Sequence, residues 1–337
     1  MIVTSTLTAA AERFNTAYVS KLPGLGQPKS APVSIDDQLQ ELLAARCSPE
    51  EISYYGRFRS QRRDGLQAAR QGNYSEAQAK FALARRCLRE IDTVDVRLVG
   101  ASSYLAAVAY LRHRQLKPAQ ARRLVEHALT IDVRLEKEFA LDLIYAHRIQ
   151  LAHNLARVDA RFGTAQEAIK LTVVILEQLE GRNNARPTSH PWEPADHKKV
   201  DSTQRRLLFN LVVSDIALLQ LEAGPHVTRE ASNIYHQHLA HCSREQQKLF
   251  TDGHRWLTLK ASLNNNTIPG SLNRASEYLE RGPGDVPILW YETAMSAALQ
   301  LCESHVTEAR VLGERILKEG TRLPFAPKMI RARGFPR

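Results

Sequence analysis

Arg59, Arg62, Arg63 and Arg70 follow an i, i+3, i+4, i+11 spacing, which sets four guanidinium groups along one side of a helix. A guanidinium is a permanently charged, planar fork that pairs with carboxylates and phosphates in two-pronged geometry. Such a row favours an anionic partner. Tyr54, Tyr55 and Phe58 stand beside it, and arginines among aromatics also suit unpaired nucleic-acid bases, which stack on rings while their phosphates are neutralised. A solvated basic face with the aromatics turned into the core fits the same residues.

Other reactive side chains converge less well. His236-x-His238-x-x-His241-Cys242 is the densest histidine group, but on a helix His238 and His241 are neighbours while His236 points roughly opposite His238. The run by itself builds no convergent metal site, and exposed helix positions account for it. The expectation is no metal and no cofactor. Cys87 follows Arg85 and Arg86, a basic setting that suits a reactive thiol, although a packed small side chain explains it more simply. Cys47, Cys87, Cys242 and Cys302 lie far apart without a CxxC pair, the usage of reduced thiols in the cytoplasm. No phosphate loop, HExxH, nucleophile elbow or Gly-rich dinucleotide turn is present, so no catalytic residue is nominated. Glu12, Asp36, Asp37, Glu41, Glu50 and Glu51 sit at helix starts or on polar faces, where the helix dipole accounts for them.

The elements that must carry these residues are helical, for no segment shows the sustained alternation of a half-buried strand. Ser48-Pro49-Glu50-Glu51 combines a cap, a first-turn proline and a capping-box glutamate; Ser34 with Asp37, Thr164-x-x-Glu167 and Ser243-x-x-Gln246 give further starts. The pattern predicts helix pairs at 97–115 with 118–131, 136–162 with 165–180, 203–223 with 228–240, 244–262 with 271–280 and 286–303 with 306–319. Residues 1–33 read as a partly disordered lead-in and 34–180 as N-terminal repeats. A proline-rich loop follows at 181–202, then C-terminal repeats at 203–319 and a basic, proline-containing tail at 320–337. The apolar stretches 98–111 and 207–221 fall short of the roughly 18–20 residues a bilayer span needs, and no signal-peptide core is visible, so a cytoplasmic location is expected.

A spacing recurs along these helices. Gly72-Asn73-Tyr74-x-x-Ala77-x-x-x-Phe81-x-x-Ala84 is echoed by Leu116, Ala121, Val125 and Ala128, and again by Gly163, Ala168, Thr172 and Ile175. With Gly65, Ala109 and Ala156 in the preceding helices, the three copies resemble tetratricopeptide repeats; Ala297, Ala309 and Ile316 are a weaker copy, and only fragments surround Ala231 and Ala275. The copies depart from the family in period: Ala77 to Ala121 is 44 residues and Ala121 to Ala168 is 47, against about 34. Longer helices or longer loops must absorb the difference. The resemblance implies an all-α, TPR-like right-handed α-solenoid of antiparallel helix pairs, in which the first helix of each pair lines a concave surface. Transferred copy by copy, that surface takes Arg59, Arg62 and Arg70; Tyr110, His113 and Arg114; and Gln150, His153, Asn154, Arg157 and Arg161.

Nearly all of these are hydrogen-bond donors. Residues 55–125 hold fifteen Lys and Arg against five Asp and Glu, which equals the whole formal charge of +10. Together they favour a non-enzymatic adaptor or scaffold that binds an acidic protein or peptide through a basic groove. An α-solenoid for RNA or single-stranded DNA, using the same arginines with Tyr54, Tyr55 and the basic tail, is the alternative. An enzyme without a recognisable motif is the third.

Overall fold

The computed structural model describes residues 2–21, 41, 43–163, 165–182, 200–223, 225–263 and 267–320. Ser34, Asp37, Thr164, the segment 183–199 and the tail 321–337, to which parts of the sequence reading refer, lie outside the described residues. Among the described residues fourteen helices are delimited, and no strand occurs.

The capping box forms as its spacing requires. The Glu51 backbone N–H donates to Ser48 Oγ at 3.2 Å, and the Ser48 N–H donates to Glu51 Oε2 at 3.1 Å. Ser243 and Gln246 repeat the arrangement. The first helix of the chain, α1, is Ile2–Lys21, and the Ser48 cap starts α2, Pro49–Gln71. Then come α3 (Tyr74–Arg89), α4 (Val94–Arg114), α5 (Pro118–Phe139), α6 (Ile144–Phe162) and α7 (Ala165–Leu179). The later helices are α8 (Ser202–Ala223), α9 (Pro225–Ala240), α10 (Arg244–Leu249), α11 (Thr251–Ser262), α12 (Ile268–Leu279), α13 (Pro287–Cys302) and α14 (Thr307–Gly320).

The chain divides into two units, one of residues 28–208 and one joining residues 1–27 to 209–337, with the boundary inside α8. In the first unit, consecutive helices from α2 to α7 pack on one another and α2 also packs on α4. All nine second-helix anchors of the recurring spacing are buried: Ala77, Phe81, Ala84, Ala121, Val125, Ala128, Ala168, Thr172 and Ile175. Gly65 shows why a small residue is needed in the facing helix, since a Cβ there would lie 2.6 Å from the Phe81 ring. Gly72 adopts φ 85° and closes α2 in the left-handed conformation that glycine tolerates. The long period is absorbed by the helices: α2, α4 and α5 run 23, 21 and 22 residues, while the connections between α2 and α6 stay short.

Three expectations are corrected. The lead-in 1–33 contains a 20-residue helix, α1, whose Leu7, Ala10, Ala11, Phe14, Ala17 and Tyr18 form a buried stripe packed on α12 and α14. Tyr18 stacks on Trp290 with centroids 5.6 Å apart and donates to Glu319 at 3.0 Å. The helix expected over 136–162 is two helices, because α5 continues to Phe139 and Ala140 turns left-handed at φ 51°. The helix expected over 244–262 breaks at Phe250, whose fully buried ring stacks on Phe209 at 4.2 Å.

Helix α4 is long and apolar enough to cross a membrane by length and composition, and half of its apolar window is buried inside the protein. Its buried residues pack against α2, α3 and α5.

Candidate functional site

A groove of about 420 Å³ opens on the unit formed by residues 28–208, lined mainly by α2, α4 and α6, the first helices of the three repeated pairs. From α2 come Arg62, Leu66 and Arg70; from α4, Ala106, Ala107, Ala109, Tyr110 and His113; from α6, His147, Gln150, Asn154, Arg157 and Val158. Val125 of α5 completes the lining. The alanines leave space that larger side chains would fill. Among the described residues no Asp or Glu lines the groove, so its ionic character is set by Arg62, Arg70 and Arg157 around an apolar base.

Contacts between helices hold this lining in place. Arg161 Nη1 lies 3.3 Å from His113 Nε2, where the guanidinium donates and the imidazole accepts, and the His113 ring meets Phe162 edge-on at 5.7 Å. These contacts tie the C-terminal ends of α4 and α6 together. Arg122 bridges α5 and α6 through Asp159 at 2.5 Å. Beside the groove, His147 Nδ1 sits 2.8 Å from Asp132 Oδ2, both residues buried, and Arg148 pairs with Glu136 at 2.9 Å. Asp132 and Glu136 are one turn apart on α5, and His147 and Arg148 are adjacent on α6. The two pairs therefore set the rotation of α6 and aim its next turns, with Gln150, Asn154 and Arg157, at the groove.

Of the residues nominated from sequence, Arg62, Arg70, Tyr110, His113, Gln150, Asn154 and Arg157 line this groove. Arg59 lies outside the lining, half-buried on α2. Arg114 also lies outside it: its Nη2 donates to the Arg70 carbonyl at 3.5 Å, and its own carbonyl accepts from Tyr74 at 3.1 Å. Arg161 stands beyond the lining at the His113 end, with its guanidinium 5.5 Å from the Phe162 ring centre. His153 is a correction, for it is only 4% exposed and belongs to the interior, whereas His147 lines the groove. Helix α6 is packed by both α5 and α7, so its buried arc is wider than one amphipathic face and takes in position 153.

Two of the three aromatics beside the arginine row are also in the core. Tyr55 and Phe58 are buried, and Tyr54 faces Arg57 at 4.5 Å. A second concavity of about 380 Å³ between α3 and α4 carries Arg85, Arg86, Arg89 and Arg112. Arg85, Arg86 and Arg89 come from α3 and Arg112 from α4.

No protein-family model matches the chain, and no curated protein or solved structure matches it either.

Proposed function

We propose that this chain is a TPR-like α-solenoid adaptor that binds an acidic peptide segment in the groove between α2, α4 and α6. The observation that carries the reading is the convergence of Arg62 and Arg70 from one helix with Arg157 from another on a single concavity whose lining has no carboxylate. Tyr110, His113, Gln150 and Asn154 supply further polar contacts, and the alanine base accepts one apolar side chain of the peptide. Guanidinium groups bind carboxylates in two-pronged geometry, which gives register as well as charge attraction.

The peptide reading is preferred over nucleic acid because burial removes Tyr55 and Phe58 as stacking platforms. The test is fluorescence anisotropy with a labelled Asp/Glu-rich peptide, a neutral peptide of equal length and a mixed-sequence RNA. The acidic peptide is expected to bind, and Arg62→Glu with Arg157→Glu to weaken it by at least about tenfold, roughly 1.4 kcal/mol. Undiminished binding by the double variant would sink the reading. Preferential RNA binding with a steep loss in salt would replace it with the nucleic-acid alternative.

A further inference from the structure

A separate cluster of metal-ligating side chains lies in the unit formed by residues 1–27 and 209–337. His238 is near the end of α9, Cys242 follows one turn later, and His254 is on α11, the helix packed against α9. Each offers one ligand atom, and these atoms lie within 4.8 Å of one another. Cys242 Sγ is 3.8 Å from His254 Nε2 and 3.3 Å from the His238 carbonyl, so the thiol sits directly over the preceding helical turn. The two imidazole centroids are 6.1 Å apart.

We propose that His238, Cys242 and His254 form a zinc-binding site. Zinc takes thiolate sulfur at about 2.3 Å and imidazole nitrogen at about 2.0–2.1 Å in tetrahedral geometry, which spaces sulfur and nitrogen donors about 3.6 Å apart. The observed 3.8 Å between Cys242 Sγ and His254 Nε2 is close to that spacing, and side-chain rotation within the 4.8 Å cluster brings in the third donor. The set of one thiolate and two imidazoles selects zinc over magnesium or calcium, which prefer oxygen ligands.

The surroundings are those of a held ligand set. His238 and His254 are 2% and 4% exposed, unusual burial for imidazoles. The His254 ring is gripped edge-on by Phe209 and Phe250, with centroids 5.3 and 6.1 Å away, and those two phenyl rings stack on each other. An orientation fixed by packing reduces the entropy lost when the metal binds. Cys242 lies just past the C-terminal end of α9, where the helix dipole favours a cation. Binding requires the thiolate, so zinc uptake releases the Cys242 proton to solvent, and one coordination position remains for a fourth donor.

The histidine run gave a different expectation because His236 is exposed on the opposite side of α9 and His241 lies exposed past its end, while His238 turns inward and meets a ligand from another helix. The test is titration of the full-length, chelator-treated protein with Co²⁺ and then Zn²⁺. One equivalent of Co²⁺ is expected to bind with a thiolate-to-cobalt charge-transfer absorption, and Zn²⁺ to bleach it and raise Tm. Cys242→Ser should abolish that absorption and weaken zinc by at least about tenfold, whereas Cys302→Ser should retain both. His254→Gln should also weaken zinc, with circular dichroism reporting that each variant is folded. No cobalt uptake by the wild-type chain, uptake without the charge-transfer absorption, or an absorption that survives Cys242→Ser in the folded variant would each overturn the proposal. The wild-type titration decides the matter even where a variant fails to fold.

Discussion

The groove of residues 28–208 and the interior between α11 and α13 treat charge in opposite ways. In the groove Arg62, Arg70 and Arg157 share a concave surface, with Arg70 and Arg157 open to solvent and no carboxylate in the lining. In the unit containing α11 and α13, a single Lys and a single Glu are drawn together in the interior. Lys260 Nζ lies 2.7 Å from Glu292 Oε1 with both residues at most 3% exposed, and Trp256 and Ser296 donate to the same carboxylate at 2.8 and 2.5 Å. A buried charge is tolerated only when its partners are complete, whereas an exposed charge retains its hydration and is available to a ligand. The difference teaches that Arg70 and Arg157 keep the exposure that the proposed peptide binding needs, while the Lys260–Glu292 network specifies how α11 meets α13.

Substitutions can break or sharpen this contrast. The largest stability effect is expected for Glu292→Ala, which strands Lys260 in the interior and should cost about 3–5 kcal/mol in urea unfolding. A loss below about 1 kcal/mol would show that the pair is not the keystone of its unit. Gly65→Val, in the groove unit, forces a Cβ into the Phe81 ring and should cost about 1–3 kcal/mol. Ser48→Ala removes the cap of α2 and should cost about 1 kcal/mol, measured in the same way.

Glu51 adds a pH dependence to that cap. Backbone N–H groups of Thr93 and Ser48 hold its carboxyl down from 4.5 to about 2. A folded-state pKa below the unfolded value means that this contribution is complete above about pH 4.5 and is lost as pH falls towards 2. Glu51→Gln should therefore flatten the acid limb of the stability profile in that window, and an unchanged slope would contradict it. The smallest stability effect belongs to the groove: Arg62→Glu with Arg157→Glu should shift unfolding by no more than about 0.5 kcal/mol while weakening the acidic peptide. A large destabilisation by this pair would make the arginines structural and erase the contrast.

Much of the groove was legible because it is set by local repetition. The small residues at 65, 77, 84, 121 and 128 mark where helices touch, and the side of α2 or α4 facing away from those contacts follows from helix geometry. Joined to the family resemblance, which implies that the first helices line a concave face, that logic places Arg62, Arg70, Tyr110 and His113 in the groove, and it also nominates Arg59 and Arg114, which lie outside the lining. It fails at His153 because α6 is packed on two sides, and it misses His147, whose orientation depends on Asp132, a carboxylate one helix earlier. It fails again at α1, where Thr, Ser and Ala weaken the apolar contrast although the burial period is regular.

The amino-acid order alone determined the helical class, the caps at Ser48 and Ser243, the small-residue anchors and the concentration of positive charge in residues 55–125. Each is a matter of neighbours within a turn or two, or of composition. Tertiary structure alone decided that Lys260 meets Glu292, that His254 joins His238 and Cys242, and that α1 packs on α12 and α14. These depend on contacts between segments distant in the chain, and a lone ionisable residue in an apolar helix carries no local signal of its partner.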